Sequence, residues 1–128
     1  MNKLIIDVAK KDIFLMIISS NGTYNVSHEN SKINYEKIML LINNFLESRN
    51  LKLNNISALY VNGGPGSFAG IRNSIATVKA IHLSHKIDYY CYSLKNFIDK
   101  KEMKHQDIPN LCDKFKVKKN LINTVYLS

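Results

Sequence analysis

Apolar and polar positions change period several times along the chain. Residues 3–8 (Leu-Ile-Ile-Asp-Val-Ala) form a short apolar run and read as a buried strand. Residues 12–19 form a second, reached through the tight polar link Lys10-Lys11. Asn21-Gly22 is a strong hairpin turn, and Thr23 to His28 alternates as a third strand. The period then becomes helical. Asn34 is placed to cap a helix running to about Arg49, with Ile38, Leu41, Ile42 and Phe45 on one arc and Asn50 ending it. Ala58 to Asn62 reads as a fourth strand running into Gly63-Gly64-Pro65-Gly66, where Ser67 caps a helix from Phe68 to about Ser84. Residues 87–92 form a fifth, tyrosine-rich strand, and Ser93 caps a short helix through Lys100. The order β-β-β-α-β-α-β-α predicts an α/β fold, a mixed sheet of about five strands with helices on its faces. The later strands are parallel, because each is reached through a helix. Residues 1–100 form one lobe. Residues 101–128 form a basic tail with a further strand predicted at 121–127.

Composition narrows the class. At 128 residues and 45% apolar content the chain is one domain with a core that needs neither metal nor disulfides. No apolar run approaches a membrane span, and Asp7 interrupts the only stretch that resembles a secretory leader. Cys91 and Cys112 lack metal-ligand spacing, so free thiols in a reducing cytoplasm are expected. A net charge of +8 invites an acidic partner. Yet the chain holds 16 Lys, 16 Ile and 16 Asn against 2 Arg, a bias that AT-rich coding produces by itself. Arginine, the better fork for phosphate, is nearly absent. Residues 100–119 hold seven lysines against three acids, half of the net charge.

The sharpest motif is Gly63-Gly64-Pro65-Gly66-Ser67-Phe68-Ala69-Gly70-Ile71-Arg72. A glycine-rich turn from strand to helix leaves N–H groups at a helix N-terminus, which suits a phosphate. A P-loop needs a lysine that is missing. Gly64-Pro65-Gly66-Ser67-Phe68-Ala69 satisfies the dinucleotide pattern formally, but on the wrong strand, and Pro65 removes a donor. The esterase elbow is not met. A rigid turn that caps a helix is the plainer reading.

Gly64, Pro65, Gly66, Ser67, Phe68, Gly70 and Arg72, followed by Ile75-Ala76-Thr77-Val78-Lys79-Ala80, resemble the signature of the bacterial TsaB (YeaZ) family. That family serves tRNA threonylcarbamoyladenosine synthesis. Ile5-Ile6-Asp7, Asn34-Tyr35-Glu36 and Ser93-Leu94 resemble further family positions, so the likeness covers roughly residues 3–100. It implies an actin-like (ASKHA, RNase H-like) lobe and a non-catalytic role. The partner TsaD carries out the transfer, and TsaE joins a larger assembly. It also implies a homodimer when the chain is alone, tRNA met only through the complex, and no bound cofactor, metal or membrane. The family's Asp-Thr-Ser stands here as Asp7-Val8-Ala9, without the hydroxyls of an ATP phosphate hairpin, and Ala69 replaces a threonine. Family members continue into a second lobe, and this chain reads as a short form lacking most of it.

The family's dimers place the partner on the two long helices. Leu40 points away from the apolar arc of the first, with Met39 and Leu46 on its flank. On the second, Ile71, Ile75 and Val78 share one face, and Ala69, Asn73, Ala76 and Ala80 form a small-residue stripe on another. Met39, Leu40, Ala69, Asn73, Ala76 and Ala80 are the expected interface. A free-standing basic RNA-binding module, using the lysine tail and Tyr89, Tyr90 and Tyr92, is the alternative. A degenerate nucleotide phosphotransferase lacks a carboxylate pair. Asp7 reads as a structural carboxylate. His82-x-x-His85 is half of a zinc site at most and suits a helix C-terminus, while His28 and His105 have no partner visible in sequence.

Overall fold

The protein is described by a computed structural model covering residues 1–97 and 103–124. Five strands form one sheet in the order β3-β2-β1-β4-β5, where β1 is Asn2–Asp7, β2 Asp12–Ser19, β3 Gly22–Glu29, β4 Ile56–Asn62 and β5 Asp88–Tyr92. β1, β2 and β3 form an antiparallel meander turned at Gly22, whose φ of +134° few other residues adopt. β4 lies parallel to β1 and β5 parallel to β4, as crossover connections require.

Strand alternation divides the core. Leu4, Ile6, Ile13, Leu15 and Ile17 face one side of the sheet and pack under the helices. Those helices are α1 (Lys32–Glu36), α2 (Ile38–Ser48) and α3 (Phe68–His85). Ile5, Met16, Tyr60 and Tyr92 face the other side, where α4 (Ile108–Lys114) covers them with Ile108, Leu111 and Cys112. Both faces of the central strands are therefore buried, which is why their sequences read as continuous apolar runs.

Four expectations change. The helix expected from Asn34 is two helices broken at Lys37. Its cap is Ser31, whose hydroxyl accepts the Asn34 N–H at 3.2 Å. Asn34 instead donates its side-chain amide to Glu29 O at 2.6 Å, tying the helix to the end of β3. The helix expected after Ser93 is a single 3₁₀ turn at Leu94–Asn96, and residues 98–100 lie outside the described residues. Residues 121–124 form no strand, while 125–127 lie outside the described residues. Antiparallel pairing with β5 is made earlier, at one bridge between Tyr90 and Lys119. The segment 103–117, read as part of the basic tail, is folded: Met103, Phe115 and Val117 pack against the second core.

Candidate functional site

The glycine turn joins the ends of the parallel strands to α3. Asn62 closes β4 and uses both ends of its side chain. Its Oδ1 accepts the Gly64 N–H at 2.8 Å, and its Nδ2 donates to Asp7 Oδ1 at 3.1 Å. The Gly63 N–H donates to Tyr92 O at 2.7 Å, and Leu94 N–H to Gly64 O at 3.0 Å, so the turn is stitched to β5 as well. The Gly64–Pro65 peptide is cis. Ser67 caps α3 by accepting the Gly70 N–H at 3.2 Å, and its own N–H donates to Ala9 O at 2.9 Å. A Cβ at Gly66 would run into the Ala9 carbonyl, and one at Gly70 into the Val8 carbonyl. The glycines thus let the start of α3 sit directly on the backbone that follows β1.

Beside the turn lies a polar cluster. Asp7, 3% exposed, accepts at Oδ1 from the Ala9 N–H (3.2 Å) and Asn62, and its Oδ2 lies 2.8 Å from His105 Nε2. The His105 ring stacks on Phe14, with centroids 4.0 Å apart. Asp7, Asn62 and Tyr92 end three adjacent parallel strands, so the sheet places them side by side. The Tyr92 hydroxyl is buried with no hydrogen-bond partner among the described residues. Burial, and then the charge of Asp7, push its pKa well above the ordinary tyrosine value. Sequence reasoning identified Asp7 as a structural carboxylate but not its partner, since His105 is 98 residues away. Among the described residues no group of three His, Cys, Asp or Glu is arranged to hold a metal. His82 is engaged with Ile87 O at 2.9 Å and packs its edge on Tyr89. His85 bonds Ser84.

The long helices present a different surface. On α2, Ile38, Ile42, Phe45 and Leu46 are buried, which moves Leu46 from the expected flank into the core. Met39 is half-buried and Leu40 is 52% exposed. On α3, Gly70, Ile71, Ser74, Ile75, Val78 and Ile81 face inward. Ala69, Arg72, Ala76 and Ala80 are exposed, with Phe68 at 53% and Leu83 at 77%. Asn73 is half-buried and donates to Ala69 O at 2.8 Å, so its side chain lies along its own helix. The Arg72 guanidinium lies 6.0 Å from the Phe68 ring. Of the small-residue stripe, Ala69, Ala76 and Ala80 therefore face solvent rather than a neighbouring helix or the sheet.

The family model for TsaD, tRNA N6-adenosine threonylcarbamoyltransferase, matches residues 27–112, two thirds of the chain. The chain belongs to the TsaD family. No curated protein sequence matches it. Among solved structures it is similar to YeaZ from Pseudomonas aeruginosa, with 15% identity and a TM-score of 0.66 over 72% of this chain and 43% of that one. A second structure from that organism, described as similar to peptidase YEAZ, matches equally. RuvC from T. thermophilus, in complex with Holliday junction substrate, is 12% identical with a TM-score of 0.55, over 77% of this chain and 68% of that one. The chain therefore spans less than half the length of the YeaZ structures it matches. The fold is shared with YeaZ and RuvC, and the expected α/β architecture, a mixed five-stranded sheet with helices on its faces, is the architecture found.

For this TsaD-family chain the tyrosine trio does not form one surface. Tyr89 and Tyr92 are buried on opposite faces of the sheet, and only Tyr90, stacked on Tyr60 at 5.0 Å, is partly open to solvent. Among the described residues no helix is long and apolar enough to cross a membrane.

Proposed function

We propose that the chain is a non-catalytic partner subunit of the tRNA threonylcarbamoyladenosine machinery, and that it docks TsaD through the outward faces of α2 and α3. The observation that carries this reading is the exposure of Ala69, Ala76 and Ala80 on one 18-residue helix, flanked by the exposed Phe68, Leu83 and Leu40. Small residues give a second helix a close approach, and the large apolar residues beside them supply area. Two helix faces of this length can reach the roughly 800 Å² per partner of a standard interface. The non-catalytic assignment is supported by how the polar groups are used. Asp7 is saturated by donors from three segments, and the glycine turn is filled by the Val8-Ala9 backbone. In this reading TsaE joins the larger assembly, tRNA is met through the complex, the chain pairs with itself when alone, and the compartment is the cytoplasm.

Ala76→Arg tests the placement. Ala76 is exposed, so the monomer tolerates arginine there, while a helix packed on that point does not. Gel filtration with TsaD is expected to show co-elution of the parent chain and separate migration of the variant, with unchanged circular dichroism. Co-elution of the variant refutes the docking face. Separate migration of the parent at micromolar concentration refutes the partnership.

A further inference from the structure

The lysine-rich segment lies on the sheet face opposite α2 and α3, and its geometry is fixed rather than tail-like. Residues 114–119, Lys-Phe-Lys-Val-Lys-Lys, hold four lysines and no acid. After α4 the backbone is tied down at both ends. Phe115 and Val117 N–H donate to Leu111 O and Cys112 O, each at 2.9 Å. Asn120 then clamps β5: its N–H donates to Tyr89 O at 2.7 Å, and its Oδ1 accepts the Tyr89 N–H at 2.9 Å. Between these anchors Phe115 and Val117 turn toward the second core while Lys114, Lys116 and Lys118 are exposed. Lys119 pairs with Asp88 at 3.5 Å, but among the described residues Lys114, Lys116 and Lys118 have no carboxylate partner. A cleft of about 170 Å³ is bordered by Asn96, Phe115, Lys116 and Lys118. On the same face Phe115 and Tyr90 are partly buried against the second core, each leaving part of its surface open to solvent.

We infer that this strip is a binding surface for single-stranded nucleic acid, with Lys114, Lys116 and Lys118 on phosphates and Phe115 and Tyr90 as stacking platforms for bases. Cations on either side of a partly buried aromatic ring, with a second such ring on the neighbouring strand, suit a flexible polyanion with planar bases, and neither element reads sequence. A lipid surface fits less well, because the apolar face of α4 is already spent on the sheet and cannot insert. The inference does not rest on the partner role. The strip lies away from the docking face, so it is tested on the chain alone.

Fluorescence anisotropy with labelled oligouridylate, titrated from ~50 to 200 mM salt, is the assay. Three single-strand phosphate contacts predict a slope of log affinity on log salt of about −2. Lys114→Glu/Lys116→Glu/Lys118→Glu is expected to bind at least ~10-fold more weakly with little remaining slope. Lys10→Glu/Lys11→Glu/Lys32→Glu changes net charge equally at exposed sites elsewhere and is expected to lose less than ~3-fold. Tyr90→Leu keeps an apolar contact with Tyr60 and is expected to lose ~5-fold or more with the slope unchanged. Should circular dichroism show the triple reversal unfolded, Lys116→Asn/Lys118→Gln replaces it. Asparagine suits the φ of +55° at position 116, and the slope must then fall by about 1.4. Equal losses in the two triple variants overturn the proposal, as does absence of binding at ~50 mM salt. Capture by phosphatidylserine vesicles without oligouridylate binding also overturns it, in favour of a lipid surface.

Discussion

Gly70→Ala separates the two uses that a glycine in this turn can have. By helix propensity alone the change is favourable by up to ~1 kcal/mol, since Gly70 is the third residue of α3 and alanine is the better helix former. The tertiary contact points the other way. The new Cβ would meet the Val8 carbonyl oxygen and would lie 3.1 Å from both the carbonyl carbon and Cγ1 of Val8. The obstacle is backbone next to the central strand, with Val8 fully buried, so no side-chain rotation relieves it. The helix has to retreat. Overpacking of this kind costs about 1–3 kcal/mol, and the upper end applies where backbone must move. Retreat also strains the hydrogen bond from the Ser67 N–H to Ala9 O, worth about 1 kcal/mol. Subtracting the propensity gain leaves a net loss of about 3 kcal/mol. In a domain of this size that lowers Tm by about 12 °C. Urea unfolding and thermal melts followed by circular dichroism measure it. Ala69→Gly, at the exposed neighbouring position, serves as control and loses only ~1 kcal/mol or less. If Gly70→Ala is as stable as the parent or more so, the glycine is not there for close approach, and the reading of the turn as a packing device falls.

Two further outcomes follow from the polar and thiol groups. His105→Ala strips one donor from the buried Asp7 and is expected to cost about 2 kcal/mol in urea unfolding; a double-mutant cycle with Asp7→Asn should return a coupling of at least ~1 kcal/mol, and a coupling near zero refutes the pairing. Burial pushes the Cys112 thiol up to about 12 and the Tyr92 hydroxyl well above its ordinary value, so the folded state favours their protonated forms. The stability they contribute is complete below the ordinary cysteine value of ~8.5 and is lost as pH rises from there toward 12. Melting temperature should be level near neutrality and fall steadily above pH ~9, with no reaction of Cys112 toward a thiol reagent in the native state at pH ~8. An unchanged Tm at pH ~10.5 contradicts this.

All five strands and the long helix α3 could be read in the sequence, because each carries its own period and its own punctuation within a short window. Asn21-Gly22 marks the hairpin, and Ser67 with the glycines before it marks the start of α3, the cap being a contact between residues three apart. The family signature was legible for the same reason. Where a choice depended on distant chain, local pattern failed. Ser31 rather than Asn34 caps α1, because Asn34 is drawn to Glu29 O at the end of β3. Residues 103–117 look like tail because lysines dominate their count, but Ile108, Leu111 and Cys112 find the uncovered face of a sheet formed by residues 2–92. The reason for Gly66 and Gly70 is likewise invisible in their own neighbourhood, since the atoms they make room for belong to Ala9 and Val8. The pairing of Asp7 with His105 spans 98 positions and becomes possible only when the turn His105–Asp107 is laid against β2, where the His105 ring stacks on Phe14 beside the end of β1. Sequence by itself thus determined the five strands and α3, which are set by local turn chemistry and periodicity. Only the sheet order β3-β2-β1-β4-β5, a choice among long-range pairings, decided which side chains are buried, paired or left facing solvent.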